Sequence, residues 1–368
     1  MTAGLHLQDA LAARARSLCA VPSPIGEERA LCDEVEAWAR GRFPHVHRVE
    51  NSLVVRVDGD VPVTHAPGLA RPLVALCGHL DTVPVHPEDR GPPRIEGGRL
   101  VAPGASDMKS GLAVAMELAL RLPREERFAD LALVFYAREE GPFLENELGL
   151  VLERAPEVRG AALAICLEPT DNTIALGCVG SIHATVTFPG RAAHSARPWQ
   201  GENAVHRAGP LLAELLARAP REARSGGLTY REVISATRIE GGSARNVVPD
   251  RCAVNLNFRV APDKALETAE RELVALAERF GATALVTDRS PPCPAFADHP
   301  LVARLREHTG ARVEPKQAWT DVARLAAAGV PAVNFGPGAT SQAHQRGEWV
   351  ELEALAACYR AMERFLRA

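Results

Sequence analysis

The chain is defined first by what it lacks. Its 368 residues hold eight cysteines but no Cys-x-x-Cys pair, so neither a ribbon-type zinc site nor a thioredoxin-like redox pair is available. Cys77 and Cys166 sit inside apolar runs, which suits buried free thiols in a reducing compartment better than a secreted disulfide framework. No stretch approaches the ~18 uninterrupted apolar residues of a membrane helix. Arg14 and Arg16 lie within an Ala/Leu helical pattern rather than ahead of an apolar run. A membrane partner and secretion are therefore not expected, and a cytoplasmic location is. A basic stripe is missing too: 42 Lys and Arg against 46 Asp and Glu leave a net charge of -4. Phosphate backbones find little to hold on such a chain, so nucleic acid is not an expected partner. Internal repeats and low-complexity tracts are absent.

What is present reads as an ordinary globular chain, 46% apolar and 24% charged, long enough for two domains. Apolar positions recur at helical spacing from 8 to 40, broken by Val21-Pro22-Ser23-Pro24-Ile25-Gly26. Strand-like runs at Ser52–Val57, Leu73–Cys77, Leu131–Ala137 and Ala161–Leu167 then alternate with a helix at Gly111–Arg121, which predicts an α/β layer architecture. After Gly177 the order becomes strand (Ser181–Phe188), helix (Glu202–Ala217), strands (Val233–Glu240, Arg251–Arg259), helix (Asp263–Phe280) and strand (Thr283–Thr287). That order is a split βαβ, ferredoxin-like unit. Ser290-Pro291-Pro292-Cys293-Pro294 reads as a stiff return linker to helices at Leu301–His308, Val322–Ala328 and Glu351–Leu366 and a strand at Ala332–Asn334. The expected organisation is a first domain of residues 1–178 and 291–368 with a domain of 179–290 inserted.

Five short strings carry candidate chemistry. In Gly78-His79-Leu80-Asp81 the spacing of two puts His79 and Asp81 on one face if strand geometry persists. Asp81 would then orient the imidazole, as carboxylates behind metal-bound histidines do. Asp107, in Gly104-Ala105-Ser106-Asp107-Met108-Lys109, precedes a helix. It reads either as an N-cap or as a carboxylate bridging two cations. Ser106 and Ser110 are alternative caps, which favours the bridge. Glu139-Glu140 follows an apolar strand, and on extended backbone the two point to opposite sides. One can then bind metal while the other takes a proton from water. Glu168 follows an almost wholly apolar strand, a costly place for an isolated charge, and His344 lies in a Gly/Ser/Thr-rich loop after Gly336-Pro337-Gly338. Singly, each has an ordinary reading as a strand-end histidine, a solvated acidic pair or a surface histidine. Together, in order on strand ends and loops, they supply ligands for two zinc-like ions with one carboxylate left as base.

With these strings the chain resembles the dinuclear zinc amidohydrolase superfamily of acetylornithine deacetylases, carboxypeptidase-like peptidases and succinyl-diaminopimelate desuccinylases. The strings Leu167-Glu168-Pro169-Thr170-Asp171-Asn172, Gly190 to Ala204 and Lys316 to Asp321 are most similar to the actinobacterial desuccinylase family. The resemblance implies a zinc-aminopeptidase-like catalytic domain with a mixed sheet flanked by helices, plus a ferredoxin-like dimerisation lid. It implies one Zn2+ on His79 and Glu168, a second on Glu140 and His344, Asp107 bridging, Glu139 as general acid/base and Asp81 orienting. Co2+ or Mn2+ can substitute at such ligands. It further implies a homodimer in which His194 reaches the partner's active site and stabilises the oxyanion. Asn246 and Arg259 would hold substrate carboxylates, with Thr320 a further substrate contact. The implied reaction is hydrolysis of N-succinyl-LL-2,6-diaminopimelate. One departure stands out: the family's Gly-Arg-Arg-Gly-Ser segment is here Gly177-Cys178-Val179-Gly180-Ser181, so other residues must hold the succinyl carboxylate, or the acyl group differs. The alternatives are another N-acyl-amino-acid deacylase of the superfamily, such as acetylornithine deacetylase or a dipeptidase, and a catalytically silent metal-binding dimer.

Overall fold

The computed structural model describes residues 2–59 and 71–368. The chain forms two compact units: Met1–Gly177 with Phe296–Glu314 and Arg324–Ala368, and Cys178–Ala295 with Pro315–Ala323.

The first unit is built on an eight-stranded mixed sheet in the order His45–Val49, Ser52–Arg56, Asp130–Tyr136, Leu73–His79, Leu163–Cys166, Ala332–Asn334, Ile174–Leu176, Val313–Pro315. Its four central strands, Asp130–Tyr136 to Ala332–Asn334, are parallel and buried along their whole length. Continuous runs such as Leu-Ala-Leu-Val-Phe-Tyr are what a sheet covered on both faces requires. Register aligns their carboxyl ends, with His79 opposite Tyr136 and Cys77 opposite Cys166. Whatever follows these strands therefore emerges along one edge, where open α/β sheets place their ligands. Helices Thr2–Ala20, Ser110–Arg121 and Leu352–Leu366 pack against one another. Among the described residues no helix is long and apolar enough to cross a membrane.

The second unit is a five-stranded antiparallel sheet ordered Arg221–Ser225, Leu228–Gly241, Arg251–Val260, Gly180–Pro189, Thr283–Ser290. Helices Ala204–Ala217 and Leu266–Arg279 share a core with one face of it, through Ile182, Val186, Phe188, Leu211, Leu256 and Leu273. Without Arg221–Ser225 this is the ferredoxin-like order expected from the sequence. The added strand makes a hairpin around Gly226-Gly227, both at positive φ, the Gly-Gly signal of a primed turn. The first helix starts at Ala204 rather than Glu202 because the Asn203 side chain caps it, accepting from the amides of Val205 and His206.

Candidate metal centre

His79 ends its strand fully buried, and its ring is oriented mainly by backbone. Nδ1 donates to the carbonyl of Asp81 at 3.0 Å, whereas the Asp81 carboxylate lies 3.6 Å away. Nε2 faces Asp107 Oδ1 at 3.2 Å, donating a hydrogen bond when the ring is protonated there and offering a lone pair to a cation when it is not. Asp81 has a second task that spacing did not reveal. Its two oxygens accept the amides of Glu139 (3.1 Å) and Glu140 (2.9 Å). The strand before this pair stops at Tyr136, so Glu139 and Glu140 occupy a turn fastened to Asp81. The opposite-faces argument for extended backbone therefore does not apply to them.

Asp107 does not cap the following helix. Residues 105–109 form an irregular turn in which Asp107 and Met108 leave helical φ/ψ, with a cis peptide between them, and the helix begins at Ser110 without a side-chain cap. The two Asp107 oxygens diverge: Oδ1 faces His79, and Oδ2 lies 3.6 Å from His344 Nε2. His344 Nε2 is in turn 3.0 Å from Glu140.

The ligand atoms of His79, Asp107 and Glu168 lie within 4.8 Å of one another, as do those of Asp107, Glu140 and His344. The triples share Asp107. A third triple, His79, Glu139 and Glu140, meets the same limit, so Glu139 also stands at the cluster. Carboxylate oxygens and imidazole nitrogens in two triads with one common carboxylate form a donor set suited to a pair of divalent cations. The electrostatics agree in direction. Burial alone would lower the His79 pKa, yet the neighbouring Asp107 and Asp81 carboxylates hold it well above the ordinary histidine value. The Glu140 carboxylate lifts His344 to about 9. A cation between these groups would displace those protons, because ligand imidazoles bind neutral.

The loop bearing His344 is placed by backbone contacts that only glycine permits. A Cβ on Gly338 would lie 2.1 Å from the Ser106 carbonyl, and one on Gly336 would lie 2.3 Å from that of Leu167. The Thr170-Asp171-Asn172 string grips this loop: Thr170 Oγ1 accepts the Gly336 amide, Asn172 N donates to the Gly336 carbonyl, and Asp171 Oδ2 accepts from Thr340. A string that the sequence reading used to narrow the substrate thus also has a scaffolding task.

The remaining candidates belong to the second unit, at opposite ends of its sheet. Arg259 is half-buried at the end where it pairs with Ser181, and burial lowers its pKa. Nearby, the buried Thr320 takes a hydrogen bond from Cys178 on its carbonyl, while its hydroxyl has no partner among the described residues. His194 and Asn246 lie exposed beyond the other end, where His194 bridges Val247 and the Asn246 carbonyl accepts from Ser195 N. The strand Gly180–Pro189 separates the two pairs, a distance of about 25 Å at strand rise. His194 Nδ1 accepts the Ala196 amide at 3.0 Å, leaving its proton on Nε2.

Sequence reasoning passed over Glu348, a buried carboxylate behind the Asp107 turn. Its only local signal is its place four residues after His344.

A family model described as peptidase family M20/M25/M40 matches residues 75–368. A Mycobacterium tuberculosis protein named as a succinyl-diaminopimelate desuccinylase is 37% identical over 350 residues, covering 95% of this chain and 96% of that protein. The succinyl-diaminopimelate desuccinylase of Corynebacterium glutamicum is 37% identical over 343 residues, covering 91% and 90%. In fold the chain is similar to a Staphylococcus aureus tripeptidase, with TM-score 0.76 at 18% identity, covering 98% of this chain and 97% of that one.

Proposed function

Since the chain belongs to peptidase family M20/M25/M40, we propose that it hydrolyses the amide of N-succinyl-LL-2,6-diaminopimelate to succinate and LL-2,6-diaminopimelate, using two divalent cations, Zn2+ first among them. The observation that carries the chemistry is the sharing of Asp107 between two ligand triads. The choice of substrate rests on the two relatives that match nearly the whole chain.

In this reading His79 and Glu168 hold one ion, Glu140 and His344 the other, and Asp107 both. Cations bound there would lower the pKa of water and polarise the scissile carbonyl. The protein's own groups do the rest. Asp81 keeps His79 in its ligand tautomer and fixes the turn carrying Glu139. The Glu139 carboxylate removes a proton from the attacking water and returns it to the departing amine nitrogen. Arg259 offers a half-buried guanidinium for a substrate carboxylate, with the Thr320 hydroxyl close by, while Asn246, at the other end of the sheet, would contact substrate from a second copy.

The Nε2 proton of His194 suits donation to a developing oxyanion. The separation of His194 and Asn246 from Arg259 and Thr320 supports a homodimer in which His194 serves the partner's site. A second observation agrees. Among the described residues, strand Leu228–Gly241 pairs with its hairpin neighbour only as far as Glu232, so residues 233–241 keep one edge open, with Ile239 half exposed. Such an edge favours strand addition from a second copy. Eight cysteines, all free and buried, fit a cytoplasmic location.

The test is purified protein assayed with Zn2+ or Co2+ on succinyl-diaminopimelate beside acetylornithine and dipeptides, with metal content measured on the same preparation. Preferred turnover of succinyl-diaminopimelate with two bound ions is expected. Turnover of acetylornithine alone would replace the substrate.

A further inference from the structure

We infer that Glu348 is a positioning residue for the dinuclear site, a buried carboxylate from near the chain's end that sets Asp107 between the two histidines. The inference rests on Asp107 as the shared ligand, and it holds whichever amide the enzyme cleaves.

Glu348 is 7% exposed. Its Oε1 accepts the amides of Ser106 (2.6 Å) and Asp107 (2.8 Å), and its Oε2 accepts that of Gly104 (2.7 Å). Its carbonyl accepts from Ala102 N at 3.0 Å. One residue thus takes four amides of the six-residue stretch that ends at Asp107. Three of them converge on a carboxylate, an arrangement both strong and directional. Gly104, at φ +75°, makes the concave turn possible, since a Cβ there would lie 2.8 Å from Thr82 Cγ2.

The turn needs an external template because it has none of its own: Asp107 and Met108 are outside helical φ/ψ, so no regular ladder fixes the direction of the Asp107 side chain. Glu348 is itself held, because the strand that follows it, Trp349–Glu351, pairs with Arg99–Val101, just ahead of the turn. It also lies four residues after His344. A single short segment therefore delivers a ligand and the clamp on the ligand that both ions share. Disturbing the clamp should move Asp107 against His79 and His344 together, loosening both ions rather than one.

Glu348→Gln preserves volume but puts an NH2 where an acceptor stood, so either Gly104 or the Ser106/Asp107 pair faces a donor. Titration of the full-length protein with Co2+, followed by calorimetry and by the visible d–d bands, reads the consequence apart from catalysis. The expected result is uptake of both equivalents weakened roughly 10–100-fold, with altered bands. Asp89→Ala is the control. It removes the acceptor Asp89 Oδ1 that the Gly347 amide donates to (3.1 Å) in the same segment while sparing the clamp, and its isotherm should match wild type. If Glu348→Gln does not fold, Glu348→Asp, which keeps the charge but retracts it, should show an intermediate loss. Wild-type Co2+ affinity in Glu348→Gln or in Glu348→Asp overturns the inference, as does an equal loss in Asp89→Ala. A wild-type protein that binds two Co2+ but cleaves no succinyl-diaminopimelate would sink the substrate reading and leave this one standing.

Discussion

In the second unit the buried Glu232 meets Arg221 at 2.8 Å, Lys264 at 2.7 Å and the amide of Ala261, so cations of the protein itself balance it. In the first unit Glu117 and Asp130 are balanced in the same way, by Arg121 and Arg124, but the acids of the candidate metal centre are handled otherwise. Asp81 and Glu348 lean on backbone amides, and Asp107 and Glu140 on histidines. The first solution is closed, because every charge has its counter-charge in place. The second crowds carboxylates around two imidazoles, an arrangement that suits the divalent cations proposed for it. Buried acids thus mark either a structural lock or a metal site, and the identity of the neighbouring cation tells which.

The contrast can be broken most forcefully at Glu139. Glu139→Gln should lower kcat by roughly 10²–10⁴-fold, the usual share of a positioned acid/base, while metal content stays at the wild-type level. Loss of metal along with turnover would make Glu139 a ligand, as its place in the third triple would allow. Asp81→Asn should weaken metal binding by about 10–100-fold, and competition against a chelator will read it. Because Asp81 also fastens the Glu139-Glu140 turn, kcat should fall further than metal occupancy alone explains. In the second unit, Arg259→Met should raise KM for a dicarboxylic substrate by roughly tenfold or more, the worth of a charge-assisted hydrogen bond. Its kcat should change little, and an unchanged KM would remove Arg259 from the substrate.

The smallest effect sharpens the comparison through stability. Hydrogen bonds from Arg221 and Lys264 outweigh burial and hold the Glu232 carboxyl below its usual value. A depressed folded pKa contributes stability that is fully present above the unfolded carboxyl pKa and is lost as pH falls through the folded one. Wild-type Tm should therefore drop on acidification below about pH 4.5, near the ordinary glutamate pKa. Glu232→Gln should cost about 2 kcal/mol at neutral pH and flatten that acid limb. Thermal melts at pH 7 and pH 4 suffice to check both.

Legibility followed distance along the chain. The parallel strands were readable because a sheet buried on both faces demands unbroken apolar runs. The second unit's βαββαβ order was readable from its change of period. The hairpin strand Arg221–Ser225 was missed although Gly226-Gly227 announced it, because its charged residues hide the alternation. The strings holding His79, Asp107, Glu140, Glu168 and His344 were each visible. The turn that carries Glu139 was not, since Asp81 creates it from 58 residues away. Glu348 was less visible still: its partners precede it by 241 to 244 residues, and a lone glutamate after glycine has no local signature.

Sequence alone determined which side chains were available and, for most of them, the strand end or loop they would follow, because periodicity, glycine placement and strand ends are local properties of the backbone. Tertiary structure alone decided that Asp107 would divide its oxygens between His79 and His344, and that His344 would meet Glu140 across 204 residues. Those distances depend on strand register and on the close backbone approach at Gly336 and Gly338. Both are settled only when the whole sheet packs.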